Sequence, residues 1–366
     1  MEYRFLGDSP LRVSALSLGC RGFGRRGISA EACKAVVGTA LDLGINFFDT
    51  ADIYGDGQSE EYLAGALARQ PRDSYVIATK GGSERPEPGM ERQNGDPAYL
   101  RKALEASLRR LGTDYIDLYQ LHNPDPAVPI QETAGAFARF IEEGKIRYAG
   151  VSNMDKQELT EWLQIVPGTV SIQLSCSLLD RTKADAMFPQ GHDLKLSLIP
   201  WTPLFDGFLV NPPPLEPDKR TGFFSLLPME FMEKANKVCS LIRVMAADYW
   251  TKPSAIALSW VLRRLEVATA LVGTTSPIHL KENARALEIS LSNRDLQQLE
   301  EASLAVPPPE ILRIMEVTGV LDGGRVAVLP IGLKVKIPGR VKPKDRIELN
   351  LWDGRVHAFP GQDRPN

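Results

Sequence analysis

Short runs of β-branched and apolar residues alternate with amphipathic stretches of helical period along most of this chain. Such alternation is typical of parallel strands that are joined by crossover helices. Eight strand segments follow one another, and this number favours a closed (β/α)8 barrel, the TIM-barrel architecture of the α/β class, over an open doubly wound sheet. The predicted strands lie at 16–18, 46–48, 75–78, 116–121, 146–151, 170–174, 196–199 and 268–272.

The helical segments follow most of these strands, with an excess of helix late in the chain. A further surface helix is predicted at 293–304, and Ser292 is a suitable N-cap for it. The other predicted helices lie at 30–43, 59–69, 98–111, 130–143, 156–165, 229–248, 254–264 and 277–287.

Two segments interrupt the regular alternation. Residues 206–225 contain NPPPLEP and the basic pair Lys219–Arg220, and they predict a long loop after the seventh strand. After the prolines at 307–309 the character changes, with strands predicted at 326–329, 333–337 and 347–351 and a hairpin turn at Asp353–Gly354. We therefore expect a barrel over residues 1–305 and a small β-rich appendage over 306–366. Alternating strands must bury one face, so we expect the appendage to pack on the barrel or on a second subunit.

Composition excludes several classes of protein. The 366 residues include 43% hydrophobic and 24% charged residues with a net charge of −3, which is typical of a globular protein. Lys and Arg are dispersed, which argues against nucleic-acid binding. We find neither the roughly 20 apolar residues of a membrane span nor a signal peptide. The four Cys and four His have no metal-ligand spacing, so we expect no metal site, reduced thiols and a cytoplasmic location.

A glycine motif offers one reading of the function. Gly22, Gly24 and Gly27 satisfy GxGxxG after a predicted strand, and Asp49 follows about twenty residues later, as in a dinucleotide-binding Rossmann unit. Against this reading, the next helix starts only after Ile28-Ser29, so the glycines do not lead directly into it. A Rossmann dehydrogenase would also have an open sheet and no use for the residues described next.

Chemically distinctive residues stand where three successive strands end. Asp49 ends the second predicted strand, with Tyr54 five residues later in the loop; Lys80 follows the third strand, and His122 follows the fourth. The carboxyl ends of barrel strands meet at one rim, where the sites of such barrels are found. We therefore expect these four side chains to converge.

The four residue types suit proton delivery to a carbonyl group. A Tyr hydroxyl has a pKa of about 10, and a neighbouring ammonium is expected to lower it by stabilising the phenolate. The Asp would hold the Lys charged and in position, and the His would orient a carbonyl oxygen by a hydrogen bond. No side chain supplies hydride, so a nicotinamide cofactor is implied.

Over roughly residues 1–305 the sequence resembles the aldo-keto reductase superfamily. The resemblance rests on YRFLG with LRVS, GINFFDTADIYGDGQSEEYLAGAL, LHNPD, KIRYAGVSN, QLSCSLLDR and VGTTSPIHLKEN. It implies a barrel closed at its bottom by an initial β-hairpin over 3–13, and a catalytic tetrad of Asp49, Tyr54, Lys80 and His122. The activity implied is interconversion of an aldehyde, ketone or sugar with the corresponding alcohol, using NAD(H) or NADP(H).

The resemblance also implies a set of cofactor contacts. Ser152 and Asn153 would bind the nicotinamide carboxamide beside Gln173, and Trp201 would stack on the nicotinamide ring. The segment after the last strand would bind the adenosine end, with backbone N–H groups of the helix at Pro277 facing a phosphate. The remaining implied positions are Thr202, Pro203, Leu204, Gly273, Thr274, Thr275, His279, Glu282 and Asn283.

The sequence indicates a slight cofactor preference but does not identify the substrate. The positions that usually carry cations for a 2′-phosphate read Gly273, Thr275 and His279, so we expect weak discrimination with a slight preference for NAD(H). The substrate is expected to be a small carbonyl compound or alcohol, whose identity the sequence does not specify, and a homo-oligomer remains open. The alternative function is a regulatory subunit that binds the cofactor and acts through protein contacts.

Overall fold

The structure is a computed structural model that describes residues 1–25, 27–87, 90–188 and 195–309. Beyond these it describes six strands and the segment 342–344 within the C-terminal part of the chain. In chain order the strands before residue 309 are β1 (Tyr3–Phe5), β2 (Arg12–Ser14), β3 (Leu16–Gly19), β4 (Phe47–Asp49), β5 (Val76–Gly81), β6 (Ser83–Glu87), β7 (Met90–Gln93), β8 (Ile116–Leu121), β9 (Ile146–Ser152), β10 (Ser171–Ser175), β11 (Ser197–Trp201) and β12 (Ala270–Gly273).

Ten α-helices lie among the described residues, and most of them follow a barrel strand. Polar caps mark several of their starts: Ser29 begins α1, and Asp155 with Glu158 forms a capping box on α5. The helices are α1 (Ala30–Asp42), α2 (Gln58–Leu67), α3 (Pro97–Leu111), α4 (Ile130–Glu142), α5 (Lys156–Ile165), α6 (Thr182–Met187), α7 (Met229–Asp248), α8 (Pro253–Leu262), α9 (Pro277–Ala284) and α10 (Asn293–Leu304).

Eight parallel strands form the barrel. Their order is β11-β10-β9-β8-β5-β4-β3-β12, and the ring closes where Leu198 of β11 pairs with Val267 just before β12. Leu198 N donates to Glu266 O at 2.8 Å, and Ala268 N donates to Leu198 O at 3.3 Å. The predicted (β/α)8 barrel is therefore confirmed, and the open sheet of the Rossmann reading is wrong.

The N-terminal hairpin covers one end of this barrel. Strands β1 and β2 pair antiparallel, and Gly7 N donates to Ser197 Oγ at 2.7 Å while Arg4 Nη1 donates to Val267 O at 2.8 Å. Both contacts are made where β11 and β12 begin. Since Leu6 and Val13 are fully buried there, the hairpin closes the amino-terminal end and leaves the carboxyl end for a site.

Side-chain alternation along the strands decides what fills the barrel. An apolar interior cluster includes Phe47, Ala78, Leu118 and Ile199. Two residues further along each of these strands, the same inward face carries Asp49, Lys80, Gln120 and Trp201. The interior therefore changes from apolar to polar toward the carboxyl ends of the strands.

Some elements differ from the expectations. The hairpin β6–β7 was not predicted because its charged sequence lacks alternation, and α6 was not predicted because six residues give little helical period. The predicted loop 206–225 contains a 3₁₀ helix at Pro217–Lys219 and overlaps another at Gly222–Leu226.

The glycine motif also has a different setting from the one the Rossmann reading requires. Gly22 and Gly24 lie in turns after β3, and α1 begins only at Ala30. Gly24 has φ +73°, and a Cβ there would lie 3.2 Å from Gly55 Cα. Gly24 therefore permits two loops of the rim to approach each other closely.

Six further strands follow residue 309: β13 (Leu312–Glu316), β14 (Gly319–Leu321), β15 (Val326–Val328), β16 (Lys334–Lys336), β17 (Arg346–Asn350) and β18 (Val356–Ala358). They form two antiparallel three-stranded sheets, β13-β17-β18 and β14-β15-β16. Strands β15 and β16 are shorter than the predicted strands at 326–329 and 333–337, and β17 lies one residue before the predicted strand at 347–351. The predicted turn at Asp353–Gly354 lies outside the described residues.

Candidate active site

Three neighbouring strands deliver Asp49, Lys80 and His122 to the same rim. Asp49 is the last residue of β4, Lys80 is the penultimate residue of β5, and His122 follows β8 directly. His122 N donates to Gly81 O at 2.8 Å, which continues the pairing between β5 and β8 by one residue. The structure therefore brings these three predicted residues together.

Lys80 and Asp49 form a buried ion pair. Lys80 Nζ lies 2.5 Å from Asp49 Oδ1 and 2.9 Å from Thr50 O, and the two residues are 0% and 3% exposed. Burial lowers the pKa of Lys80, but the Asp49 carboxylate and Tyr54 outweigh burial and leave that pKa raised. Lys80 is therefore held as a cation inside the barrel.

Two glutamines share the other oxygen of Asp49. Gln173 Nε2 donates to Asp49 Oδ2 at 3.0 Å, and Gln120 Nε2 donates to the same oxygen at 3.2 Å. Gln120 was not among the residues predicted from the sequence. Its position two residues before His122, on the inward face of the strand, is the signal that could have identified it. Side chains from three strands therefore bind the two oxygens of the Asp49 carboxylate.

Tyr54 stands over Lys80 from the loop between β4 and α2. The ring centroid is 5.3 Å from Lys80 Nζ, and a hydrogen bond links the two side chains. Burial raises the pKa of Tyr54 more than the charge of Lys80 lowers it, so the net shift is upward. The expected net lowering of this pKa is therefore absent, because removal from water outweighs the neighbouring ammonium. The phenol is protonated at neutral pH.

His122 faces Tyr54 edge to face. The ring centroids are 5.7 Å apart at an interplanar angle of 82°. Burial, followed by the charges of Lys80 and Arg21, lowers the pKa of His122 to about 3, so the imidazole is neutral at pH 7. Its Nδ1 is buried and has no hydrogen-bond partner among the described residues.

The positions predicted to hold a nicotinamide lie on the same rim. Asn153 follows β9 with φ +60°, and its Nδ2 donates to His122 O at 3.2 Å and to Asn123 Oδ1 at 3.0 Å. Ser152 Oγ donates to Gln173 O at 3.0 Å. These bonds place the end of β9 against both β8 and β10.

Trp201 ends β11 and packs on the interior apolar cluster. Its buried Nε1 has no partner among the residues described. Thr202 has φ +49°, which turns the chain sharply after the strand, and its Oγ1 is 3.4 Å from Ser175 Oγ. Pro203 is buried and Leu204 half-buried in the following turn.

The predicted adenosine segment lies at the adjoining part of the rim, since β12 pairs with β3. Gly273 ends β12 with an exposed backbone, and Thr274 Oγ1 accepts from Ser276 N at 3.0 Å. Ser276 caps α9, on which Asn283 is buried and His279 exposed. Glu282 is half-buried with its Oε1 3.7 Å from Lys252 Nζ, and Thr275 is half-buried in the preceding turn.

The fold is an α/β barrel, and its candidate site lies at the carboxyl ends of the strands. The model of the Aldo/keto reductase family matches residues 15–304. A curated relative, "Probable aldo-keto reductase 1" of Glycine max, is 33% identical over 304 residues, which are 81% of this chain and 87% of the relative. The chain therefore belongs to the aldo/keto reductase family, which consists of NAD(P)-dependent oxidoreductases acting on small carbonyl compounds.

Solved structures agree with this assignment. The holo form of aldo-keto reductase AKR11C1 from Bacillus halodurans is 31% identical with a TM-score of 0.68, covering 82% of this chain and 96% of that one. Glycerol dehydrogenase AKR11B4 from Gluconobacter oxydans is 28% identical with a TM-score of 0.75, covering 84% and 97%. Among the described residues, no helix combines the length and apolarity needed to cross a membrane.

Proposed function

We propose that this protein interconverts the carbonyl group of a small aldehyde, ketone or sugar with an alcohol, and that Tyr54 is its general acid and base. The observation that carries the proposal is the buried Lys80, which contacts both Asp49 and Tyr54 at the rim. A buried cation with one side on a carboxylate and the other on a phenol suits reversible proton release from that phenol.

Each residue has a separate role in the reducing direction. The Tyr54 hydroxyl donates its proton to the carbonyl oxygen, and the ammonium of Lys80 stabilises the phenolate that remains. Asp49 keeps Lys80 charged and fixed, with Gln120 and Gln173 fixing Asp49 in turn. The neutral imidazole of His122 donates an N–H to the same carbonyl oxygen and orients it. A nicotinamide cofactor, when bound, would supply the hydride.

The rim residues fit such a cofactor. Trp201 offers an aromatic face beside the catalytic residues, and its unpartnered Nε1 is a donor that the described residues leave unused. Ser152, Asn153 and Gln173 supply hydrogen-bonding groups next to it. Gly273, Thr274, Thr275 and the capped start of α9 would hold the phosphate and adenosine end, together with Glu282 and Asn283 of that helix.

We further propose that NAD(H) is accepted, with a slight preference over NADP(H). Two of the cations near the adenosine segment already face carboxylates: Arg285 Nε is 3.1 Å from Glu288, and Lys252 Nζ is 3.7 Å from Glu282. Parallel titrations with both cofactors at fixed ionic strength test this preference. A tenfold tighter Kd for NADP(H), about 1.4 kcal/mol, would contradict it. Lys252→Met and Lys281→Met would then identify the cation that reaches the phosphate.

Substitution of Tyr54 tests the catalytic assignment. Tyr54→Phe should lower turnover by roughly 10²–10⁴-fold, because it removes the proton donor, while the cofactor Kd stays nearly unchanged. Initial rates on an aldehyde panel, followed by nicotinamide absorbance, measure this effect. Tyr115→Phe is the matched control, since Tyr115 precedes β8 at the opposite end of the barrel. Near-normal turnover of Tyr54→Phe would refute the assignment.

The same panel tests the alternative of a regulatory subunit. Cofactor binding without turnover of any aldehyde, ketone or alcohol would favour that alternative. The panel includes polyols because one similar protein is a glycerol dehydrogenase.

A further inference from the structure

Arg21 occupies a central place on the rim. It lies two residues after the end of β3, and the intervening Cys20 N donates to Asp49 O at 2.7 Å. Strand β3 lies between β4, which carries Asp49, and β12, which carries Gly273. Arg21 therefore stands between the catalytic residues and the segment proposed to bind the adenosine end.

Arg21 is an exposed residue, and its guanidinium is available to bind a ligand. It has no ion pair and no hydrogen bond with any residue in the described part of the chain. By contrast, Arg72, Arg110 and Arg264 are each fixed by a carboxylate within 2.8 Å. An Arg without a partner on a remote surface would simply be solvated. The location of Arg21 on the rim instead indicates a role in binding.

The charge of Arg21 reaches the catalytic groups. It lowers the pKa of Tyr54 and of His122, although burial and Lys80 have larger effects on both. Lys80 and Asp49 cancel each other, and Tyr54 and His122 are neutral at pH 7. The net charge of this group of five residues is therefore that of Arg21, which makes this part of the rim cationic.

We propose that Arg21 determines substrate specificity by binding an anionic group, a carboxylate or a phosphate, close to the reacting carbonyl. The planar fork of a guanidinium can bind two oxygens of such a group at once. With Tyr54 and His122 on the carbonyl oxygen and Arg21 on the anion, the substrate is held at two points. The substrate class is then an oxo acid or a phosphorylated aldehyde. This inference rests on the proposed function.

Matched substrate pairs test the inference. The carboxylate pair is succinic semialdehyde with butanal, and the phosphate pair is glyceraldehyde 3-phosphate with glyceraldehyde. For each pair the ratio of kcat/KM, anionic over neutral, is measured for the wild type and for Arg21→Met. We expect that ratio to fall at least tenfold in one or both pairs and to recover in part in Arg21→Lys. The ratio is used because loss of Arg21 also raises the pKa of Tyr54, which affects both members of a pair.

Arg69→Met is the matched control. Arg69 is exposed near the end of α2, and the same change in net charge there should leave the ratio unaltered. An unchanged ratio in Arg21→Met would overturn the inference. A proportional loss on anionic and neutral substrates with a weaker cofactor Kd would also overturn it, and would place Arg21 on the cofactor phosphates instead.

A binding measurement separates this inference from the proposed function. Benzoate and benzamide are titrated calorimetrically into the cofactor-loaded protein. Tenfold weaker benzoate binding in Arg21→Met, with benzamide unchanged, supports the anion site even if no substrate turns over. Turnover of neutral aldehydes together with equal benzoate binding in the two proteins rejects the Arg21 site while retaining the proposed function.

Discussion

Asp52 lies in the same loop as Tyr54, in surroundings that disfavour the ionised form of its carboxyl group. Its Oδ1 is buried without a partner among the described residues, and its backbone N donates to Lys80 O at 3.2 Å. Burial, and then the negative charge of Glu60, raises the pKa of Asp52 from 3.8 to about 8. The folded protein therefore keeps this carboxyl protonated where the unfolded chain ionises it.

Asp52 consequently predicts a pH-dependent stability. Between about pH 4 and pH 8 the folded state binds the extra proton, so the contribution of Asp52 to stability falls as the pH rises. Asp52→Asn removes this titration, so its stability relative to the wild type should be higher at pH 9 than at pH 5, by an amount on the order of 4 kcal/mol. Urea unfolding at both pH values measures the gain. The exposed Asp73→Asn is the control, and equal behaviour of the two variants would contradict the prediction.

At the scale of the element, a glycine in β9 allows the neighbouring strands β8 and β10 to place side chains against its backbone. A Cβ on Gly150 would lie 2.6 Å from Ser171 Oγ on β10 and 2.9 Å from Gln120 Cγ on β8. Gln120 supports Asp49, so a change in β9 reaches the Lys80 ion pair through this side chain. Close packing between three strands thus supports the Lys80–Asp49 ion pair, although β9 itself carries neither residue.

Gly150→Ala should therefore damage both the fold and the reaction. Overpacking should cost about 1–3 kcal/mol, and displacement of Gln120 should lower kcat. Gly135→Ala is the matched control, since nothing lies within 4 Å of a Cβ there and the position is helical. The control should be neutral or stabilising by roughly 0.5–1 kcal/mol. Urea unfolding and steady-state rates measure both effects; a Gly150→Ala protein that matched the control in both would disprove the link through Gln120.

At the scale of the whole molecule, the barrel is complete before the C-terminal strands begin. Every strand of the ring ends by Gly273, and α10 ends at Leu304. The family match also ends at residue 304. We propose that residues 306–366 form a separate β-rich appendage, packed on the barrel or on a second subunit.

Removal of residues 310–366 tests this proposal. We expect the truncated protein to keep the barrel but to change in at least one of thermal stability, mass in solution and KM, because the sheets β13-β17-β18 and β14-β15-β16 must bury one face. Calorimetry, light scattering and steady-state kinetics measure the three quantities. A shorter truncation after residue 358 keeps all six strands and is the control. No change in any of the three would refute packing of the appendage.

The sequence by itself determined most of the elements and most of the residues that meet at the rim. Helices α5, α7 and α10 begin and end where their periodicity predicts, because periodicity and polar caps such as Ser292 act within a few residues. Strand-end positions likewise placed Asp49, Lys80 and His122 together, since eight consecutive strand–helix units constrain the topology to a barrel. The elements that escaped prediction, α6 and the hairpin β6–β7, are too short or too charged to carry a period.

Only the tertiary structure decided how these groups act on one another. Gln120 on Asp49, the closure of the ring at Leu198 and the uncommitted charge of Arg21 all depend on residues that are far apart in the chain. The pKa of Tyr54 shows the reason most clearly. The sequence predicts the ammonium that lowers this pKa, but the desolvation that raises it further comes from packing all around the ring. Interactions within a few residues can be predicted from the sequence, whereas burial and electrostatic balance are properties of the folded molecule.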